Sequence, residues 1–467
     1  MKKIYSLIVA LGLLFPSCDS YFDVKLEQNI PTEDAYKTVQ DVSNGLTGAY
    51  YALGTYRFQG CYVPAYGDIA SDNAVADPAS GHFVNINSYT YSETAGEFSD
   101  TWTFGYQIVD RTTRTINGAE ALLEAGGLLD SEIKTLNSVM GQAYALRAYA
   151  AFMMVNLFGL PYGTDTYANG GLVIVEDKPI EPLQMVSRAS VAETYAWILR
   201  DIAKANSITY DISGNKQFYF YPAAVKALEA RVNLYMKNYA VAKVAAQKAI
   251  DLRGASAISN EAYVDMWEST AISQEDILTI AKSPADNLSA NSLNTLYSTY
   301  GTALTNELVG LFGPDDIRLQ LIGEDNHPKK FDGIPSAAAV NNIPVFRVSE
   351  MYLIIAECEV LDAAGSIAAA QTALFYTAKR NTAITAANML PATKDGLVKF
   401  ISQERRREFF EEGQRWYDAR RTGEIITAYD GYYTDFDIAK VVYPIPSTEI
   451  NAGFGTQQNP TWKTAMP

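Results

Sequence analysis

One stretch constrains the fold more than any other: ALEARVNLYMKNYAVAKVAAQKAI, with small residues at Ala230, Ala242, Ala246 and Ala249 and an aromatic at Tyr239. Alanine at those positions removes the bulk that keeps two helices apart, so an antiparallel pair can pack closely while Tyr239 fills the gap beside its turn. Such a pair buries one face only, and it becomes stable when similar pairs stack on it.

Further candidates for those pairs follow the same logic. RVSEMYLIIAECEVLDAAGSIAAAQTALFYTAKR reads as two helices with Gly365 at the turn, SVMGQAYALRAYAAFMMVNLFG as a third unit, and SRASVAETYAWILRDIAKA as a helix capped by Ser187 or Ser190. Helical periodicity covers roughly residues 32–53, 103–158, 187–206, 222–252 and 347–421. The expected fold is therefore mainly α: a tetratricopeptide-like scaffold (helices about 103–252 and 347–421) with a few short strands, forming a single domain over 18–467. Two loop-rich regions, 54–101 and 253–346, are rich in Gly, Ser, Asn, Asp and Tyr, and long loops of this kind are where binding is expected.

Composition removes several function classes. Against 37 Lys+Arg stand 53 Asp+Glu, a formal net charge of −16, the wrong sign for a phosphate-binding surface, so no nucleic-acid partner is expected. The histidines are His82 and His327 and the cysteines Cys18, Cys61 and Cys358, without CxxC, HExxH or His-x-His spacing. No cofactor or transition metal is expected; a structural calcium site stays open, because carboxylates and carbonyls can form one without a motif. No GxSxG elbow or Walker sequence is present, and no acid stands in a catalytic motif, although a glycosidase needs only two carboxylates. The chain reads as a non-enzyme.

Residues 1–17 carry Lys2 and Lys3, an apolar run from Ile4 to Phe15, and Pro16–Ser17 before Cys18. This is the order of a secretory signal, too short to span a bilayer. A cysteine directly after a small residue at the signal's end is similar to the lipobox of bacterial lipoproteins, which makes Cys18 the expected lipidation site and the attachment to the membrane. Export leaves both a Cys61–Cys358 bridge and buried thiols open; the apolar helix around Cys358 favours thiols.

Taken in order behind that lipobox, several segments resemble the SusD/RagB family of Bacteroidetes outer-membrane lipoproteins. They are PTEDAYKTVQDVSNGLTGAYYAL, Ser71–Asp72, WTFGYQIVDRTTRTIN with Trp102, Tyr106, Ile108 and Asn117, and GQAYALRAYAAFMMVNLFGLPYG with Arg147 and Phe158–Gly159. The closing part is the most specific: RVSEMYLIIAECEV, QERRREFFEEGQRWYDARRTG and YPIPSTEINAGFGTQQNPTW. The resemblance implies a helical scaffold under a loop-rich face on the outer leaflet of the outer membrane. It also implies a SusC-like TonB-dependent transporter as partner, for which the lipoprotein acts as a lid that captures oligosaccharide or polysaccharide. A peptide-capturing member of the family and a periplasm-facing tetratricopeptide adaptor are the alternatives.

Ligand-binding candidates come from the loop-rich regions. In FVNINSYTY a period-two reading puts Phe83, Asn85, Asn87, Tyr89 and Tyr91 on one face, where rings could stack on sugar C–H faces and amides bond hydroxyls. The competing reading is a half-buried strand. A second set holds Tyr263, Trp267, Tyr297, Tyr300 and Phe312; Trp267 stands out because no helical stripe explains it, with core burial as its alternative. Trp102, Trp197 and Trp416 lie on patterned helices and are expected in the core. The charged run Glu404–Arg421 reads as one solvated, salt-bridged helix with pairs such as Glu411–Arg415, with a basic ligand-binding cluster as its alternative, and the resemblance implies that Asp315, Asp316 and Arg318, which match the family's acidic-x-Arg turn, are structural.

Overall fold

A computed structural model describes residues 35–164 and 166–467; the signal segment and Cys18 lie outside them. Helices of eight or more residues are numbered here in chain order: α1 Val39–Leu53, α2 Tyr62–Ile69, α3 Gly96–Ala125, α4 Asp130–Phe158, α5 Val191–Asn206, α6 Pro222–Tyr235, α7 Tyr239–Arg253, α8 Val348–Leu361, α9 Ile367–Ala378, α10 Lys394–Phe409 and α11 Arg415–Thr422. They stack in series, α1 on α3, α3 on α4, α4 on α5, α6 on α7, α7 on α8 and α8 on α9. The expected helix pair is α6–α7, with Ala230, Ala242, Ala246 and Ala249 fully buried between neighbours. Ser190 caps α5 in a reciprocal box with Glu193, so two otherwise orphaned backbone donors are satisfied at once.

Strands are short and come in antiparallel pairs: β1 Ala74–Val75 with β3 Ala303–Leu304, β2 Asp276–Ile280 with β4 Ile343–Arg347, and β5 Ile425–Ala428 with β6 Tyr433–Asp437. The β1–β3 pair joins the two loop-rich regions, and Thr305 Oγ1 adds a hydrogen bond to the Asp72 carbonyl at 2.7 Å. These regions are less irregular than their composition suggests, since α2 is buried along nearly its whole length.

Charge inside the scaffold is extensive. Arg147 is fully buried on α4, forked onto Asp201 of α5 at 2.7 and 2.8 Å, and donates to Thr113 Oγ1 at 2.9 Å and the Glu176 carbonyl at 2.7 Å. That one side chain ties α3, α4 and α5 and the connection between α4 and α5, which is the physical reason for an arginine within GQAYALRAYAAFMMVNLFG.

The charged run Glu404–Arg421 corrects its sequence reading twice. It is structural, but Glu404, Arg405, Arg406, Arg407 and Glu408 are buried rather than solvated. Glu408 meets Arg347 at 2.9 Å, Arg380 at 2.8 Å and Arg318 at 3.2 Å; burial alone would raise its carboxyl, but the three guanidinium groups pull it well below the usual range. Nor is the run one helix. Glu411 (φ +64°) and Gly413 (φ +71°) break it into α10 and α11, and Arg415 pairs with Asp72 at 2.6 Å and Glu424 at 2.8 Å instead of Glu411. A Cβ on Gly413 would collide with the Pro64 backbone, so the elbow needs glycine both for its φ and for the approach of α2.

Cys61 and Cys358 are free and buried, and burial pushes both thiols up to about 12. Among the described residues no helix is long and apolar enough to cross a membrane, and no group of three or more His, Cys, Asp or Glu could hold a metal ion.

Candidate ligand-binding site

The loop segment expected to form an aromatic platform is folded inward. Val84–Asn87 makes a single helical turn, entered at Phe83 with φ +55°, so the alternation of a strand never develops. Phe83, Asn87, Tyr89 and Tyr91 are buried, each for a visible reason. Phe83 packs edge-on to Tyr62 at 5.4 Å. Asn87 donates to the carbonyls of Ile69 at 2.7 Å and Ala74 at 3.3 Å and accepts from Ala76 N–H. Tyr89 donates to the Ala70 carbonyl, and Tyr91 lies among Phe98, Tyr443 and Trp462. Only Asn85 of this set is exposed.

The second set is corrected in the same way. Trp267 is 3% exposed, edge-on to Phe331 at 6.0 Å with the Lys330 ammonium 4.7 Å above its ring, and Tyr297 stacks on Phe331 at 6.4 Å. Tyr263 is buried with the Arg380 guanidinium 3.7 Å over its ring, whereas Phe312 is partly buried. Rings held this way have no free face for a sugar. Tyr300 is half-buried and stacks on exposed His82 at 3.7 Å. Trp197 and Trp416 are fully buried and Trp102 nearly so, as their helical spacing predicts.

A surface concavity suited to a ligand lies beside these loops. α1 ends at Gly54, whose N–H bonds the Tyr50 carbonyl at 3.0 Å, and the chain turns there directly against the end of β2. A Cβ on Gly54 would come within 3.2 Å of Ile280 Cγ2, so the Ile280 side chain would have to give way to any larger residue there. This close approach makes one wall from the end of α1 and residues 54–57 and the other from β2 and residues 281–288, with Tyr219 beside them. The open cleft between measures about 500 Å³.

Its lining combines rings with polar groups. Tyr50 is braced, its hydroxyl donating to Gln142 Oε1 at 3.1 Å and accepting from Phe220 N–H at 2.8 Å, and Tyr219 stands edge-on to it at 5.7 Å. Tyr51 is 71% and Tyr219 39% exposed, so both keep free ring faces. Tyr56 carries the Arg57 guanidinium 4.5 Å above its ring, and Arg57 pairs with Asp100 at 3.2 Å. On the opposite wall Lys282 lies 3.6 Å from Asp286, while Asn287 folds back to bond the Pro284 carbonyl. Apolar faces beside cationic, anionic and amide groups can hold a ring that is apolar on its faces and hydroxylated at its edge.

None of these residues belongs to the sequence-derived set. A signal for one of them exists: Tyr51 falls off the apolar stripe of Val42, Leu46, Ala49 and Leu53 on an amphipathic helix, which turns its ring toward solvent.

Comparison with known proteins supplies the context. A family model described as "SusD family" matches residues 326–462, and one described as "Starch-binding associating with outer membrane" matches residues 20–234. A SusD-like protein of Formosa agariphila is 28% identical over 246 residues, 52% of this chain. The match spans 43% of that relative's length, and a second SusD-like protein of the same organism is matched over 31% of its own. Among solved structures, a SusD superfamily protein of Bacteroides vulgatus superposes with TM-score 0.79 at 26% identity, covering 91% of this chain and 99% of that one. A SusD-like carbohydrate binding protein of the same organism superposes with TM-score 0.68 at 18% identity, covering 84% of each chain. With family models matched at both ends of the sequence and the whole scaffold shared with solved members, the chain belongs to the SusD/RagB family.

Proposed function

We propose that the protein captures oligosaccharide or polysaccharide at the cell surface and delivers it to a SusC-like TonB-dependent transporter, acting as a lid and breaking no bond. The observation that carries the glycan reading is the tyrosine cleft, where Tyr51 and Tyr219 keep free ring faces next to Arg57, Lys282 and Asp286. The matched description of starch binding and outer-membrane association, and the carbohydrate binding named for a structural neighbour, support the same class of ligand. Lipidation at Cys18 would hold the protein at the outer membrane, with the cleft carried on the rigid helical stack.

Native electrophoresis through gels containing single polysaccharides tests the reading, with product analysis of the same mixtures and protease shaving of intact cells. Retardation by one glycan without released product, and cleavage of the protein on whole cells, are expected. Retardation by none, with heat from mixed peptides instead, would replace glycan capture by peptide capture. Protection from protease in intact cells would replace it by a periplasm-facing adaptor.

A further inference from the structure

The loop joining β5 to β6 carries a group of tyrosines that the cleft does not use. Ala428 pairs with Tyr433 across the hairpin, so residues 429–432 form the whole loop. Tyr429, Tyr432 and Tyr433 meet there: Tyr432 stands edge-on to Tyr433 at 5.0 Å and to Tyr429 at 5.4 Å, and Tyr429 lies 5.8 Å from Tyr433. None of the three lines the tyrosine cleft.

The loop holds these rings in an unusual way. Positive φ in a tight hairpin favours glycine, asparagine or aspartate, yet Tyr429 has φ +52°, ahead of Asp430 at +49° and Gly431 at +85°. The turn is closed by Tyr432 N–H on the Tyr429 carbonyl at 2.9 Å. Tyr432 is 74% exposed and Tyr429 half-buried, so ring surface is left open to solvent. Tyr433 roots the group: its hydroxyl donates to the Ser88 carbonyl at 2.9 Å, and its ring stands edge-on to buried Tyr89 at 6.2 Å. Rings that are exposed yet braced against one another lose little freedom when a ligand stacks on them.

The neighbouring side chains say what kind of ligand fits. Asp430, Thr434 and Asp435 are exposed on the same hairpin, and residues 425–437 contain no Lys, Arg or His. Carboxylates accept hydrogen bonds from hydroxyl groups and repel a polyanion, and aspartate is depleted from the core of protein–protein interfaces. We propose that the tip of the β5–β6 hairpin is a second glycan contact outside the cleft, where a neutral polysaccharide stacks a sugar ring on Tyr432 and gives hydroxyl hydrogen bonds to Asp430 or Asp435. This rests on the glycan-capture reading. A chain long enough to reach both places can leave one without leaving the other, so the hairpin raises affinity for polymer without enlarging the cleft.

Native electrophoresis through gels containing single polysaccharides, comparing the parent protein with Tyr429→Ala/Tyr432→Ala, tests this. Retardation by a neutral polysaccharide is expected to weaken by about tenfold in the variant, with an unchanged thermal melt. If the double variant does not fold, Tyr432→Ala alone decides, because its ring lies mostly in solvent; a loss of about threefold is expected. Equal retardation of a folded variant and the parent, or a parent retarded by acidic polysaccharides alone, would overturn the hairpin contact and leave glycan capture standing. No retardation of the parent by any polysaccharide would overturn both. Equal retardation with loss of co-purification with an outer-membrane protein would assign the rings to a protein partner instead.

Discussion

Arg147 and Glu411 show how differently buried charge behaves within one molecule. The Arg147 guanidinium is paired on all sides, and removing it leaves Asp201 buried and unpaired. Arg147→Ala should therefore lower unfolding free energy by about 3–5 kcal/mol, read by denaturant titration. Glu411 is the opposite case: one oxygen accepts from Lys330 N–H at 3.0 Å, the other has no partner, and burial raises its carboxyl well above the ordinary range. The folded state then holds a proton that the unfolded chain has released, so this contribution is complete below the unfolded carboxyl value and is lost as pH rises toward the folded one. Glu411→Gln should accordingly stabilise the protein more at pH 8 than at pH 5; an equal effect at both would mean that Glu411 does not titrate in this window. Residue roles on regular helices were legible, as Trp197 and Trp416 show. Trp267 was not, because its surroundings are assembled from Phe331, Lys330 and Asn341, distant in sequence and without a common period.

At the scale of elements, local chemistry decides where helices start and stop. Ser190→Ala removes the side-chain acceptor of the α5 capping box and should cost about 1 kcal/mol in denaturant unfolding. Gly413→Ala is expected to cost more, since it opposes a positive φ and drives a methyl group into the Pro64 backbone. If that variant is as stable as the parent, the elbow between α10 and α11 is not a packing constraint. The capping serine could be read directly, because a cap is a short-range pattern. The elbow could not: the charge pattern of Glu404–Arg421 is continuous, and what bends it is the contact with α2, including Gly413 N–H bonded to Asp68 Oδ2 at 2.6 Å. FVNINSYTY misled for a related reason, since Asn87 bonding inward to the Ile69 and Ala74 carbonyls fixes a turn that alternation cannot reveal.

Across the whole molecule, the small-residue pattern specified the helical stack and the family segments fell onto the contacts that close it. Arg147 joins three helices, and Ser71–Asp72 sits where α2 meets α10 and α11 through the Asp72–Arg415 pair. The two loop-rich regions border the cleft through residues 54–57 and 278–288, yet most of their own aromatics pack inward, and the exposed rings of the cleft come from Tyr51 at the end of α1 and from Tyr219 ahead of α6. Rigid helices beneath, with a cleft at the junction of α1 and β2, suit a protein that holds a ligand for transfer. Calorimetric titration of the soluble protein beginning after Cys18, against neutral and acidic glycans and then repeated with Tyr219→Ala, tests this most directly. Saturable binding of one glycan, weakened by about 1 kcal/mol in a variant with an unchanged thermal melt, is the expected result. Glycan affinity unaltered by Tyr219→Ala and by Tyr51→Ala, or no glycan binding at all, would contradict it.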